Sequence, residues 1–223
     1  MKKSTLFSLI LFLASQSLVF AQDVCEEMMK FNDYAKNHNR TSRMTMTMSP
    51  MGQTQITESD GKGRFHMTMA METPMQLKME SVLTGNQLYT KKDDEDWKAQ
   101  DLDSVQIASM KQKWQNNQLQ FFKNCKKLDN ETIGGQEYRV YSGDFDYEKM
   151  RDYMGQNNEA QQSLAMLQNM DIKMTFYVNK KDDLERAKMK MNVQGMSIDA
   201  DMVYEYDLPI VINIPPPPAP KKD

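Results

Sequence analysis

Apolar residues recur at every second position along much of this chain, and many of them are methionine. The alternation is strict in residues 43–48, which read RMTMTM, and it returns in residues 65–71, which read FHMTMAM. Successive side chains of a β-strand point to opposite faces of a sheet, so this period predicts strands with one apolar and one polar face. Turn sequences such as Gly85-Asn86 separate the segments and predict antiparallel hairpins.

Three segments instead place their apolar residues at helical spacing: Val24–Asn37, Leu102–Phe122 and about Tyr147–Met170. A sheet with one apolar face must bury that face, either by curling on itself or beneath helices. We therefore predict an α+β fold. Its core is a strongly curved antiparallel β-sheet of roughly ten strands, an unclosed half-barrel, with about three helices covering the concave face.

The first 21 residues have the pattern of a signal peptide. Lys2 and Lys3 precede a short apolar segment, and Val19-Phe20-Ala21 is a tolerable cleavage site, so we expect cleavage after Ala21. The alternative is an N-terminal anchor helix. Because Cys25 does not directly follow the cleavage site, we expect no lipid anchor.

The remainder is predicted to form one half-barrel domain, residues 22–207, and an extended Pro-rich C-terminal tail, residues 208–223. No later segment contains the roughly 18–20 consecutive apolar residues of a membrane-spanning helix. We expect a soluble protein that is periplasmic or secreted.

Two cysteines follow the predicted signal peptide, Cys25 and Cys125. An exported chain enters an oxidising compartment, where an even number of cysteines favours pairing. We predict a Cys25–Cys125 disulfide. The alternative is two separate buried thiols.

Charge and motifs exclude several classes of function. The chain has 28 Lys and Arg against 31 Asp and Glu, a net charge of -3, which argues against the basic surface that nucleic acid requires. The sequence lacks a nucleophile elbow, a zinc-protease motif and a phosphate-binding loop, and it has only two histidines. We predict a protein that is not an enzyme, needs no cofactor and binds no nucleic acid.

Methionine is the unusual component, with 22 residues. Its unbranched thioether adapts to irregular shapes and specifies a core poorly, whereas Val and Ile are the usual strand residues. Three interpretations remain open: plain core packing, an adaptable cavity for an apolar ligand, and a thioether site for Cu(I). Period two places His66 on the face opposite Met67, which weakens the copper interpretation. The residues predicted to line a cavity are Met44, Met46, Met48, Phe65, Met67, Met69, Met71, Met75, Leu77, Met79, Met174, Phe176, Met189, Met191, Met196, Ile198 and Met202.

Two further segments carry a resemblance. Residues 133–141, IGGQEYRVY, form a Gly-rich turn ahead of a predicted helix, and residues 204–207, YEYD, end the last strand before the Pro-bearing Ile214-Pro215. With the export signal, first helix and long hairpins, this layout resembles the LolA/LppX/RseB-like superfamily of envelope proteins. The resemblance implies an unclosed β-barrel covered by helices, with an apolar cavity for lipid or acyl chains. The lipoprotein carrier of this group has an arginine inside its cavity, and Arg43 lies beside the Met44 stripe.

The resemblance implies a carrier or a sensor. We predict a soluble exported envelope protein that binds an apolar small molecule, a lipid or the acyl chains of a lipoprotein in a Met-lined cavity, with a transient partner in the membrane or the envelope. Two alternatives are a periplasmic Cu(I)-binding protein and a non-catalytic structural or interaction module. In the module, the Pro-rich tail would bind a partner or act as a spacer.

Overall fold

The alternating segments form the strands of one antiparallel sheet. The computed structural model of the chain describes residues 24–32, 39–72, 76–107, 118–154, 171–193 and 196–216. Within these ranges the chain has twelve strands. They are β1 (Ser42–Ser49), β2 (Gln53–Ser59), β3 (Phe65–Met71), β4 (Leu77–Thr84), β5 (Gln87–Lys92), β6 (Lys98–Asp101), β7 (Phe122–Lys127), β8 (Glu131–Ile133), β9 (Gln136–Phe145), β10 (Asp171–Val178), β11 (Leu184–Val193) and β12 (Met196–Tyr206).

The strand order is β6-β5-β4-β3-β2-β1-β12-β11-β10-β9-β7, and β8 pairs with β9. The two end strands, β6 and β7, are not neighbours in this order, so the sheet is open. Residues 24–29 and 104–107 are helical, Lys30–Asn32 and Gln118–Phe121 form 3-10 turns, and Tyr147–Met154 is an α-helix. The predicted α+β fold, an unclosed half-barrel of antiparallel strands with few helices, is confirmed.

The strand register assigns side chains to the two faces of the sheet. Residues directly opposite each other in an antiparallel pair share a face, as do residues two apart on one strand. Met46 lies opposite Met202 on β12 and opposite Gln55 on β2, and Gln55 lies opposite Met69 on β3. We call the face that carries these side chains the methionine face. The other carries Arg43, Glu58 and His66, and we call it the charged face.

Residues 24–32 pack on the methionine face over β9–β12. Met28 and Phe31 are buried there against Tyr141, Phe176 and other side chains of those strands. The ring centroids of Phe31 and Tyr141 are 5.0 Å apart, and the Tyr141 hydroxyl donates a hydrogen bond to Glu27 Oε1 at 2.6 Å. This part of the sheet therefore has a closed aromatic core.

The predicted disulfide is confirmed: Cys25 is bonded to Cys125, with their Cα atoms 5.2 Å apart. It ties residues 24–32 to β7, because Cys125 lies on that strand. Cys125 is 2% exposed and belongs to the same apolar cluster as Phe122. The bond thus reinforces the closed core.

The chain after β12 packs on the charged face of the sheet. Residues 208–216 are extended without regular secondary structure, and Ile212 is 4% exposed in a cluster with Val82 and Tyr89. The Thr41 hydroxyl donates to the Leu208 carbonyl at 2.7 Å, and Arg64 Nη1 donates to the Ile212 carbonyl at 3.5 Å. We call residues 208–216 the strap.

One predicted boundary is wrong. The predicted helix does not extend to Phe122: residues Gln118–Phe121 form a 3-10 turn, and Phe122 begins β7. Asn124, at φ 53°, lies where the register between β7 and β9 shifts, so Phe122 and Cys125 both reach the core despite being three residues apart. That spacing is uncommon in a regular strand. Gly143 and Asp144 belong to β9, which ends at Phe145 ahead of the helix Tyr147–Met154.

Several predictions concern residues outside the described ranges. These are the signal peptide (residues 1–21), the first helix beyond residue 32, residues 108–117 and 155–170 of the other two helices, Met75, and the tail beyond residue 216. The division into a domain and a tail stays a prediction. Among the described residues, no helix is both long enough and apolar enough to cross a membrane.

Candidate ligand-binding face

The register places sixteen of the seventeen predicted cavity residues on one face of the sheet. Met75 is the seventeenth and lies outside the described residues. This placement follows because period two keeps each stripe on one face and the hairpins keep neighbouring stripes opposite each other. Their role as the lining of a ligand cavity stays a prediction. They are Met44, Met46, Met48, Phe65, Met67, Met69, Met71, Leu77, Met79, Met174, Phe176, Met189, Met191, Met196, Ile198 and Met202.

The methionine face has two unlike parts. Over β9–β12 it carries buried side chains such as Phe176 and Met202, which are 2% and 9% exposed. Over β1–β3 none of the strand residues is buried, and the methionines are half-buried. We call the first part the packed half and the methionine face of β1–β4 the open half. In the open half, Met46 is partly buried against the packed cluster, and the other methionines of β1–β3 are half-buried and do not belong to that cluster.

A stripe of neutral polar residues divides the open half. It consists of Gln53, Gln55 and Thr57 on β2, between the methionine stripes of β1 and β3. None of these three residues is among those predicted from the sequence to line a cavity. The signal that could have found it is the alternation of Gln and Thr on β2, combined with the registers of its two hairpins.

Charge is segregated between the two faces of β1–β4. Every side chain that these four strands place on the methionine face is uncharged. Ser, Thr and Gln supply its polar groups, and the rest are Met, Leu and Phe. The uncharged side chains are Ser42, Met44, Met46, Met48, Gln53, Gln55, Thr57, Ser59, Phe65, Met67, Met69, Met71, Leu77, Met79, Ser81 and Leu83.

The charged face of the same strands carries a hydrogen-bonded network. Arg43 Nε donates to Glu58 Oε1 at 2.9 Å, and the two ring nitrogens of His66 lie 3.2 Å from Glu58 Oε2 and 2.9 Å from Glu80 Oε1. Burial by itself would raise the pKa of Glu58, but hydrogen bonds from Arg43 and His66 outweigh it and leave that pKa below its ordinary value. Arg43 therefore faces away from the methionines and is not a cavity arginine.

Within the described strands, three pairs of methionines lie directly opposite each other: Met46 with Met202, Met69 with Met79, and Met174 with Met189. Thioethers are soft donors of the kind that Cu(I) prefers. His66 contributes nothing to this set, because it lies on the other face and contacts two carboxylates. Across the described ranges, no group of three or more His, Cys, Asp and Glu residues is arranged to hold a metal ion.

Two clefts, of about 430 and 600 Å³, are bounded by described residues. In the first, Arg40 Nη1 lies 2.8 Å from Asp183 Oδ1 and Arg40 Nη2 lies 2.7 Å from Asp207 Oδ2. The hydrogen bond from Arg40 lowers the pKa of Asp207 below its ordinary value. The second cleft borders Met48 and Met189 but is otherwise lined mainly by polar and charged residues, including Lys188, Asp199 and Asp201. Neither cleft is an apolar cavity.

The sequence has no match among protein-family models or curated proteins. Solved structures match its fold. The lipoprotein LppX of Mycobacterium tuberculosis is 12% identical, with a TM-score of 0.54, and the match covers 86% of this chain and 99% of that chain. LprF of Mycobacterium bovis is 11% identical, with a TM-score of 0.52, and the match covers 86% and 96% of the two chains. At these identities the similarity concerns the fold alone. This chain has the LolA/LppX/RseB-like fold.

Proposed function

We propose that this protein binds the acyl chains of a lipid or a lipoprotein on the open half of the methionine face, as an exported carrier or sensor of the cell envelope. The observation that carries the proposal is the uncharged surface of half-buried methionines over β1–β4. A core of this size would ordinarily be filled with Val and Ile on its strands. Methionine instead makes a surface that can adapt to ligands of different shape.

Burial of hydrocarbon would provide the affinity. Each methylene removed from water contributes about 0.8 kcal/mol, so ten buried carbons contribute about 8 kcal/mol before the costs of association. The open half can accept such a ligand without burying a charge, because all charged side chains of β1–β4 lie on the other face. A carrier would then pass the ligand to a transient partner in the membrane or the envelope.

An envelope location is part of the proposal. The predicted signal peptide directs the chain out of the cytoplasm, to a periplasmic or secreted destination. The Cys25–Cys125 disulfide supports this location, since such bonds persist in oxidising compartments.

The test is native mass spectrometry of the full chain, expressed with its export signal and purified without organic solvent or strong detergent. We expect adducts at lipid masses. In a triple variant, Met46→Gln, Met69→Gln and Met79→Gln, these adducts should be strongly reduced, because glutamine keeps the length of the side chain but makes the face polar.

The matched control is Met150→Gln, on the helix Tyr147–Met154, outside the open half. It should retain the adducts. A bare polypeptide mass, together with no binding of a fluorescent fatty-acid analogue, would refute the proposal. A discrete copper increment that the triple variant loses would support the Cu(I) alternative instead.

A further inference from the structure

The neutral polar stripe on β2 divides the open half into two apolar bands. Register rows cross it in the order Met48–Gln53–Met71, Met46–Gln55–Met69 and Met44–Thr57–Met67. Neighbouring strands are about 4.8 Å apart, so the two methionine stripes run parallel at about 10 Å, with the polar groups midway between them. A ligand lying across the strands meets apolar, hydrogen-bonding and apolar surface in that order.

The glutamines of the stripe retain hydrogen-bonding capacity. Gln53 Nε2 donates to Met69 Sδ at 3.5 Å, and a thioether is a weak acceptor. Gln55 Nε2 donates to Thr57 Oγ1 at 3.3 Å, a long hydrogen bond. Each amide also has a second N–H, so both can donate to a stronger acceptor such as a carbonyl oxygen. Gln53, Gln55 and Thr57 are all half-buried, so a ligand on the face would contact them.

The distribution of charge on the sheet indicates which chemical class of ligand can bind against the stripe. A carboxylate or phosphate placed against the stripe would have no cation on the methionine face of β1–β4 to compensate it. Lys92 on β5 lies opposite Met79 on the same face, but β5 is three strands, about 14 Å, from the β2 stripe. Arg43, the cation nearest in sequence to the Met44 stripe, is engaged by Glu58 on the opposite face. An ion buried without a partner is strongly unfavourable, whereas a neutral carbonyl can be satisfied by the amides.

We propose that the β2 stripe makes the protein selective for neutral lipids; this inference rests on the proposed function. Ester or amide carbonyls of the ligand accept hydrogen bonds from Gln53 and Gln55. The acyl chains of the ligand lie on the methionine stripes to either side. Free fatty-acid anions and plain hydrocarbons are then poorer ligands. A fatty-acid anion would have no compensating cation on this face of β1–β4. A plain hydrocarbon would leave the glutamine amides without carbonyl partners.

The test compares three probes on delipidated full-length protein: dioleoylglycerol (a neutral diester), squalene (a neutral hydrocarbon) and oleate (an anion). Displacement of a fluorescent lipid analogue gives their relative affinities. We expect dioleoylglycerol to bind at least about tenfold more tightly than the other two, because each of its two carbonyls can accept a hydrogen bond from the stripe.

The decisive variant is Gln53→Leu, Gln55→Leu and Thr57→Val, which removes the stripe but keeps its volume. It should lose the preference for dioleoylglycerol over squalene by about tenfold and still bind squalene. Thr54→Val, on the same strand but on the charged face, is the matched control and should keep the preference. Gln55→Leu alone serves if the triple variant unfolds at a lower temperature than the parent.

The outcomes separate this inference from the proposed function. If the parent protein binds none of the three probes, the proposed function itself fails. If it binds squalene as tightly as dioleoylglycerol, prefers oleate, or shows the same preference after the stripe is removed, lipid binding stands and the role of the stripe is refuted.

Discussion

The packed half and the open half are parts of one continuous sheet face, yet they are built from different residues. The packed half combines aromatic rings with small residues, as where Phe176 lies opposite Ala187 and its ring centroid is 5.2 Å from that of Phe122. The open half repeats methionine, interrupted by glutamine and threonine. Rings and branched side chains specify one arrangement, whereas methionine tolerates several. The comparison indicates that stability resides in the packed half and adaptability in the open half.

Loss of the disulfide, which ties residues 24–32 to β7 within the packed cluster, should have the largest effect, because the bond restricts a long loop of the unfolded chain. Replacing Cys25 and Cys125 together by alanine removes a cross-link over a sequence separation of 100 residues. Loop entropy then predicts a decrease of about 4–5 kcal/mol in the free energy of unfolding. Urea denaturation measures it, and the parent protein under reducing conditions should show a similar loss. An unchanged midpoint after reduction would contradict the assignment of stability to this half.

The same substitution in each half gives a direct comparison. Met202→Ala removes a side chain that is 9% exposed in the packed cluster and should cost about 2–5 kcal/mol. Met69→Ala removes a half-buried side chain from the open half and should cost about 1 kcal/mol, since less apolar area returns to water. Thermal and urea unfolding of the two variants provide the measurement. Equal losses would show that both halves are packed alike.

The turn between β2 and β3 lies close to the backbone of Asn39, which precedes β1. A Cβ atom on Gly61 would lie 2.6 Å from the Asn39 carbonyl oxygen, whereas one on Gly63 would have no heavy atom within 4 Å. Both glycines have positive φ, so alanine costs about 1–2 kcal/mol at either position. At Gly61 the added Cβ atom must also displace the backbone, which should lower the free energy of unfolding by a further amount of about 1–3 kcal/mol. Hydrogen exchange in β2 and β3 should therefore accelerate more in Gly61→Ala than in the control, Gly63→Ala, and equal exchange would exclude this contact as a support.

Low pH should also destabilise the turn between β2 and β3, by less than the substitution Gly61→Ala. Burial alone would raise the pKa of Asp60, but hydrogen bonds from the Lys62 backbone and from Arg64 leave it below its ordinary value of 3.8. The resulting stability is fully present above the pKa of the unfolded chain and is lost as the pH falls through the lower folded-state pKa. Asp60→Asn should cost of order 1 kcal/mol at pH 7, and this difference should shrink below about pH 4.

Urea denaturation at several pH values tests this prediction. Asp94→Asn, at an exposed position, is the control and should behave as the parent protein does. A difference between Asp60→Asn and the parent that stays constant down to the lowest pH would contradict the role of the carboxylate.

Much of the fold could be predicted because its signals are local. Alternation along residues 43–48 and 65–71 identifies strands and their apolar sides without knowledge of any partner. The Cys25–Cys125 pairing followed from an even number of cysteines in an exported chain. The start of β7 could not be predicted in this way, because Phe122 and Cys125 reach the same core only through the register shift at Asn124.

In the candidate site, too, some features follow from the sequence alone and others only from the tertiary structure. The sequence determined which residues are apolar and which of them share a face within one strand, because both depend only on residue type and backbone period. The tertiary structure decided that the stripe of Gln53 and Gln55 lies between two methionine stripes and that Arg43 lies on the charged face. It also decided that the strap buries Ile212 against Val82. These outcomes depend on register and on contacts between distant segments, which residue period alone does not encode.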